Sequence, residues 1–284
     1  LAKRIFFITS LLCLLFGFDA YCGWPTRPRR LILSPSYSYF TANKDWDSVG
    51  RKVSRPNNGT FRSHSVSLYA EYGIVRRLAA IGTLPFLSYN IKDDTGRSFG
   101  VSGFGDMELG LKYYLANIGY KYYFTLQGTG IVPLYKTEGL GFAQGGGELR
   151  LGLSGAGNIG KSFYSLSLEN AVRKYLGDNG PIQDRYSASF GITLDKKFHD
   201  QLSVSVSGVL SKSDFTAFTR NIYTARDFTF TQVSLSYGHT FNNSFSIFLT
   251  GGRFITGRNT TIATNASVAF IYKIDNFLGR KIYY

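Results

Sequence analysis

Apolar and small polar residues alternate with a period of two in segment after segment from Leu31 to Tyr272, and no 3.6-residue periodicity interrupts them. No other feature limits the fold as strongly. In the clearest run, Leu202, Val204, Val206, Gly208 and Leu210 alternate with Ser203, Ser205 and Ser207. Successive strand side chains point to opposite faces, so such a segment has one greasy and one small polar side. The pattern returns in Val66, Leu68, Ala70, Tyr72 and Ile74 against Ser63, Ser65 and Ser67, and in Met107, Leu109, Leu111 and Tyr113. It recurs in Leu149, Leu151 and Leu153, in Tyr186 to Leu194, and in Val268, Phe270 and Tyr272. The chain therefore reads as all-β. Twelve strands are predicted, at 31–40, 62–75, 78–91, 104–115, 121–134, 148–156, 162–172, 185–194, 201–210, 228–239, 244–255 and 261–272.

The connections decide between two all-β architectures. Residues 41–61, 92–103, 135–147, 173–184 and 211–227 are long, and Arg76-Arg77 and the links 116–120, 157–161, 195–200 and 240–243 are short; only 256–260 breaks the alternation. A β-sandwich has no reason to make every second turn tight. A transmembrane antiparallel barrel does, with short periplasmic turns, long outer loops and an even strand number. The polar faces are Ser, Thr and Gly rather than charged, as expected of a lumen wall, and aromatics such as Tyr37, Tyr39, Phe86, Tyr113, Tyr122, Phe241 and Phe245 gather near strand ends, where girdles would meet headgroups. Closing the sheet also removes its exposed edges.

Ahead of the first strand, Lys3 and Arg4 precede the apolar run Ile5 to Phe18, and Ala20-Tyr21-Cys22 resembles a signal-peptidase site. Residues 1–22 are read as a removed signal peptide, 23–272 as the barrel, and 273–284 as a C-terminal tail or the end of the last strand. Both cysteines, Cys13 and Cys22, fall in the leader. The mature chain then has no disulfide, zinc-thiolate site or cysteine nucleophile.

The 284 residues carry 32 Lys+Arg against 18 Asp+Glu, a formal +14. Such an excess suggests nucleic acid only if it gathers on one face. Here the predicted strands sum to near neutrality. The surplus sits outside them, led by Arg27, Arg29, Arg30, Arg76, Arg77, Arg280 and Lys281. A nucleic-acid partner is therefore excluded in favour of rims that meet anionic headgroups. The expected partners are outer-membrane lipids and lipopolysaccharide, the barrel-assembly machinery and a small-molecule permeant, with localisation in the outer membrane of a Gram-negative bacterium.

The stretch Ser102-Gly103-Phe104-Gly105-Asp106-Met107-Glu108-Leu109-Gly110-Leu111-Lys112-Tyr113-Tyr114, with Tyr72-Gly73-Ile74 and Leu84-Pro85-Phe86 upstream, resembles the outer-membrane family named after the phenol meta-degradation pathway. The match covers about residues 62–115. It implies a barrel that passes small, often hydrophobic, organic molecules, without implying phenol for this chain.

Chemistry-bearing residues are few. Some twelve-stranded outer-membrane barrels hydrolyse lipids with Ser and His on the membrane-facing wall, but His64 and Ser65 are adjacent in a strand and point to opposite faces. His199 in a turn and His239 at a strand end have no acidic neighbour two residues away. No enzyme, metal site or cofactor is expected. The glycine clusters at 100, 103 and 105 and at 139, 141 and 145–147 read as outer-loop hinges, one of which could fold inward. The informative set is inside the predicted barrel: Glu71, Asp106, Glu108, Lys112, Glu148, Arg150 and Glu169 as lumen-lining candidates, with Thr125, Gln127 and Thr129 between them. Two readings stay open, a charged ladder that orients a permeating solute and a static salt-bridge network that braces a closed barrel. The corresponding functions are a passive channel for small molecules, and a closed structural or surface-binding barrel using loops 41–61 and 211–227; an outer-membrane lipid hydrolase is a distant third.

Overall fold

The computed structural model describes residues 25–278 apart from 93–94, 96–97, 137–138, 161, 196–198 and 218–220. The predicted signal segment 1–22 and the terminal residues 279–284 lie outside the described residues.

The strands are β1 (Leu31–Trp46), β2 (Lys52–Ser54), β3 (Thr60–Val75), β4 (Leu78–Lys92), β5 (Ser98–Phe104), β6 (Asp106–Ile118), β7 (Tyr122–Pro133), β8 (Gly146–Ile159), β9 (Ser162–Tyr175), β10 (Ile182–Thr193), β11 (Asp200–Lys212), β12 (Phe228–Asn242), β13 (Phe245–Arg258) and β14 (Thr260–Ile274). All neighbours pair antiparallel in sequence order, and β14 returns to β1 from Leu31 opposite Ile274 to Trp46 opposite Thr260, closing the barrel. Two of the fourteen pieces are not separate staves. β2 is a short flap on the end of β1, and β5 and β6 are one stave interrupted at Gly105, so the wall has twelve strands.

That interruption has a covalent cause. Pro85 on β4 has no N–H to give the ladder, and between the pairs Phe86–Phe104 and Thr83–Glu108 the register slips by one residue. Gly105 bridges the slip by donating its N–H to the Pro85 carbonyl at 2.9 Å. The glycines at 100, 103 and 105 thus belong to a bulged stave, not to a loop hinge as the sequence suggested. Gly146 and Gly147 likewise open β8.

Large apolar side chains lie bare on the outer face, among them Val66, Leu68, Leu109, Leu111, Leu149, Leu151, Val204, Leu235 and Leu249. A continuous band of this kind exceeds what a water-soluble surface tolerates and fits a hydrocarbon environment. The strands are long enough for it. β3, with 16 residues, extends about 53 Å at roughly 3.3 Å per residue, more than a tilted strand needs to cross about 30 Å of hydrocarbon.

The longer connections gather at one end of the barrel and the tight turns at the other, except that β13 and β14 are joined at the long-loop end through Asn259 alone, so the barrel has a long-loop end and a short-turn end. Several strands run further towards the long-loop end than the alternation indicated: β1 reaches Trp46, β9 reaches Tyr175, β10 starts at Ile182, and β11 reaches Lys212. At the short-turn end, residues 25–30 tuck against the wall. The Arg29 N–H donates to the Gly73 carbonyl at 2.7 Å and the Gly73 N–H to the Arg30 carbonyl at 3.0 Å. A Cβ at position 73 would sit 2.1 Å from the Arg27 carbonyl oxygen, so only glycine admits this close approach.

A charged layer inside the barrel

Inward positions follow from register. Glu108, Gly110 and Lys112 on β6 face the same side as Thr129, Gln127 and Thr125 on β7; opposite these stand Glu148, Arg150 and Gly152 on β8, then Arg173, Ala171 and Glu169 on β9. The structure places all seven candidate residues on the inner face, in two groups.

In the group nearer the short turns, the Lys112 ammonium donates to Glu71 Oε2 at 2.7 Å, as does the Tyr69 hydroxyl at 2.7 Å. The Tyr114 hydroxyl reaches Oε1 at 3.4 Å, and the Thr26 hydroxyl bonds the same oxygen. Glu71 therefore ties the segment ahead of β1 to the wall.

The second group is built around Glu148, whose side chain is 0% exposed. It accepts from Arg150 (Nη2 2.7 Å, Nε 3.1 Å), from Arg173 Nε at 2.7 Å and from Arg185 Nη1 at 3.3 Å. Arg173 also reaches Glu108 at 2.5 Å, and Arg150 reaches Glu169 at 2.8 Å. Asp106 lies at the long-loop edge of this group, accepting a 3.4 Å hydrogen bond from the Tyr175 hydroxyl. Tyr135, in the loop after β7, accepts the Ala143 N–H at 3.2 Å, and burial pushes its phenol pKa up.

Sequence reasoning missed two members, Arg173 and Arg185. The first fell in a predicted loop, and the second at the first residue of a predicted strand, outside the lumen-lining candidates. With them, Glu108, Glu148 and Glu169 face Arg150, Arg173 and Arg185, so this second group carries as many guanidiniums as carboxylates.

Two internal cavities meet at the Arg150–Glu169 pair. One, of about 300 Å³, is lined by Tyr69, Glu108, Lys112, Gln127 and Thr129 besides that pair. The other, of about 240 Å³, is lined by Arg185, Ser187, Ser207, Val209, Phe230 and Gln232 besides the pair.

Residues of two loops pack into an aromatic plug at the long-loop end. Leu140 from the loop after β7 and Ile222 and Tyr223 from the loop after β11 pack with Trp46, Phe61, Tyr89 and Phe254. Tyr89 stacks on Phe61 with ring centroids 5.5 Å apart. The Asn221 amide donates to the Tyr89 hydroxyl at 2.9 Å and the Gly139 carbonyl at 2.8 Å. The stretch 221–225 of loop 211–227 is thus committed inward, whereas Asp214–Ala217 in the same loop stay exposed.

On the outer face, His64 Nδ1 lies 2.7 Å from the Tyr37 hydroxyl. Across the β11–β12 pair, His239 Nδ1 lies 2.7 Å from Asp200 Oδ1, which also accepts from the Tyr237 hydroxyl at 2.6 Å. His239 therefore does have an acidic partner, supplied by the neighbouring strand. Among the described residues, no serine is hydrogen-bonded to any of the three histidines.

No protein-family model and no curated protein matches the chain. Solved structures do. An outer-membrane channel from Pseudomonas putida F1 superposes with a TM-score of 0.68 at 14% identity, over 91% of this chain and 99% of that one. The β domain of the Bordetella autotransporter BrkA gives a TM-score of 0.51 at 9% identity, over 85% of this chain and 99% of that one. At such identities the likeness speaks for the fold, which is that of outer-membrane β-barrels.

Proposed function

We propose that this chain is a bacterial outer-membrane barrel that passively admits small organic solutes, related to the family named after the phenol meta-degradation pathway. The observation that carries the reading is the interior: a charge-lined wall with two cavities meeting at Arg150 and Glu169, in a barrel whose strand number lies between side-chain-filled and wide-channel sizes. The likeness to the P. putida channel supports it, as does the join of Leu84-Pro85-Phe86 to Phe104-Gly105-Asp106, where the family-like stretches meet at one bulge. In this reading Glu71, Asp106, Glu108, Lys112, Glu148, Arg150 and Glu169 line the path, no catalytic step occurs, residues 1–22 are removed on export, and assembly uses the barrel-assembly machinery.

A second reading, a closed barrel that binds partners at its surface, is favoured by the aromatic plug. Planar-bilayer recordings separate the two. The channel reading expects discrete conductance steps, larger when the plug loop around 135–147 is trimmed. A purified, folded barrel that never conducts in either form overturns it.

A further inference from the structure

Of the two internal cavities, the 240 Å³ one is unevenly charged, although the network beside it is neutral. Arg173 divides its guanidinium between Glu148 and Glu108, and Arg150 between Glu148 and Glu169. Arg185 has one ion pair among the described residues, 3.3 Å to Glu148 Oε2, an oxygen already 2.7 Å from Arg173. A guanidinium carries five N–H donors in a fork that matches a carboxylate. Most of those on Arg185 are uncommitted, and its side chain is 35% exposed, towards the cavity. The charge of Glu148 is shared among three guanidiniums, Arg150, Arg173 and Arg185, and its carboxylate does not itself line the cavity.

The remaining lining completes a mixed surface. Ser187 and Ser207 stand directly opposite one another in register beside Arg185, and neither hydroxyl is hydrogen-bonded among the described residues. Facing them are Val209, Phe230 and Ala171, a patch with no polar group to offer. A neutral hydrocarbon would satisfy only that patch. A sugar would lay hydroxyls against it. A compact organic anion with one carboxylate and an apolar body satisfies both sides, and the cavity holds several times the roughly 30 Å³ share of a water molecule.

We propose that this cavity is a binding station for small organic monocarboxylates, with Arg185 and the two serines taking the carboxylate and Phe230 and Val209 the apolar body. The proposal rests on the channel reading for its role in passage, not for its chemistry. Glu169 also lines the cavity. One of its oxygens is held by Arg150 at 2.8 Å, and its charge opposes the guest. That opposition keeps binding weak enough for release, as conduction requires.

The test is calorimetric titration of the full-length purified barrel at pH 7 with benzoate, against benzyl alcohol as the neutral analogue and acetate as the carboxylate without an apolar body. Benzoate should bind at least tenfold more tightly than either. Arg185→Gln should weaken benzoate roughly ten- to a hundredfold, the loss of a charged hydrogen-bond pair, and Arg185→Lys should restore part of it. Ser207→Leu, which fills the cavity without touching a charge, should abolish binding, and Glu169→Gln should tighten it. Folding of each variant is read from its heat-dependent gel mobility. Equal affinity for benzoate and benzyl alcohol, or benzoate binding untouched by both Arg185→Gln and Ser207→Leu, overturns the proposal. Conductance measured on the same preparation keeps the two readings apart. A barrel that conducts without this preference leaves the channel and removes the station, whereas one that binds benzoate but never conducts leaves the station and removes the channel.

Discussion

Glu148→Gln tests the charged layer most directly, because one buried carboxylate holds three guanidiniums. Glutamine keeps one acceptor oxygen and turns an NH₂ towards a cation, so at least one of the contacts at 2.7, 2.7, 3.1 and 3.3 Å is lost and another becomes repulsive. Stripping one partner from a buried ion pair costs about 3–5 kcal/mol. Two terms reduce the figure here. Arg150 and Arg185 are about a third exposed to the cavities and can rehydrate, and Arg173 keeps Glu108 at 2.5 Å. The lower end, about 3 kcal/mol, is the expected loss. Glu169→Gln is the control. Among the described residues its one ion pair is with Arg150, and both side chains are about a third exposed, so it should cost under about 1 kcal/mol.

Urea unfolding in phospholipid vesicles, followed by gel mobility without heating, reads both variants on one scale. The same substitution removes a negative charge from the wall, so the reversal potential in a salt gradient should move towards chloride. Stability within about 0.5 kcal/mol of the wild type for Glu148→Gln would refute the reasoning, since a substitution at a free surface does no more than that.

Three further perturbations have definite outcomes. Asn221→Ala removes the hydrogen bonds to Tyr89 and Gly139 that pin the plug, and it should raise open probability in planar bilayers while shifting stability by only about 1–2 kcal/mol. Gly110→Val places a Cβ 2.1 Å from the Gly128 carbonyl oxygen and should yield no heat-modifiable folded band, whereas Gly128→Ala, with nothing within 4 Å, should fold normally. In the loop after β1, the Asp47 carboxylate takes the N–H groups of Arg51 and Val49 and the Arg51 guanidinium, which holds its pKa below the usual carboxylate value. A depressed acid supports the turn above the ordinary carboxylate pKa and loses that support as pH falls through its lowered one. The protection of the Val49 and Arg51 amides, measured against their intrinsic exchange rates, should therefore persist as pH falls through the ordinary carboxylate pKa and be lost only in stronger acid.

The staves were legible because hydrocarbon demands apolar residues on one face, and that demand writes the period-two signal directly into the sequence. It stops where the bilayer stops. Beyond the band the outer face turns polar, with Lys44, Lys92, Lys174 and Lys212 on the strand ends, although the backbone ladder continues to Trp46, Lys92, Tyr175 and Lys212. Strand ends read from apolar alternation therefore mark the membrane's edge rather than the ladder's, and β5, which lies past the Gly105 bulge, read as connection.

That displacement explains the omission of Arg173, which lies past the apolar edge of β9 on the inner face. A signal for it was nonetheless present. Register in a hairpin is fixed by its turn, and counting back from the tight turn between Ile159 and Ser162 sets Arg173 opposite Glu148 and Ala171 opposite Arg150. The next strand then sets Arg185 opposite Ala171, which puts three guanidiniums around one carboxylate. Turn position, not residue type, thus carries the information about who pairs with whom inside a barrel. The plug has no such rule, because a loop folded into a lumen owes its path to the cavity it fills. Its only trace in the sequence is apolar residues where a solvated loop has no use for them, Leu140 in a glycine-rich stretch and Ile222 beside Tyr223, each of which the structure turns away from water.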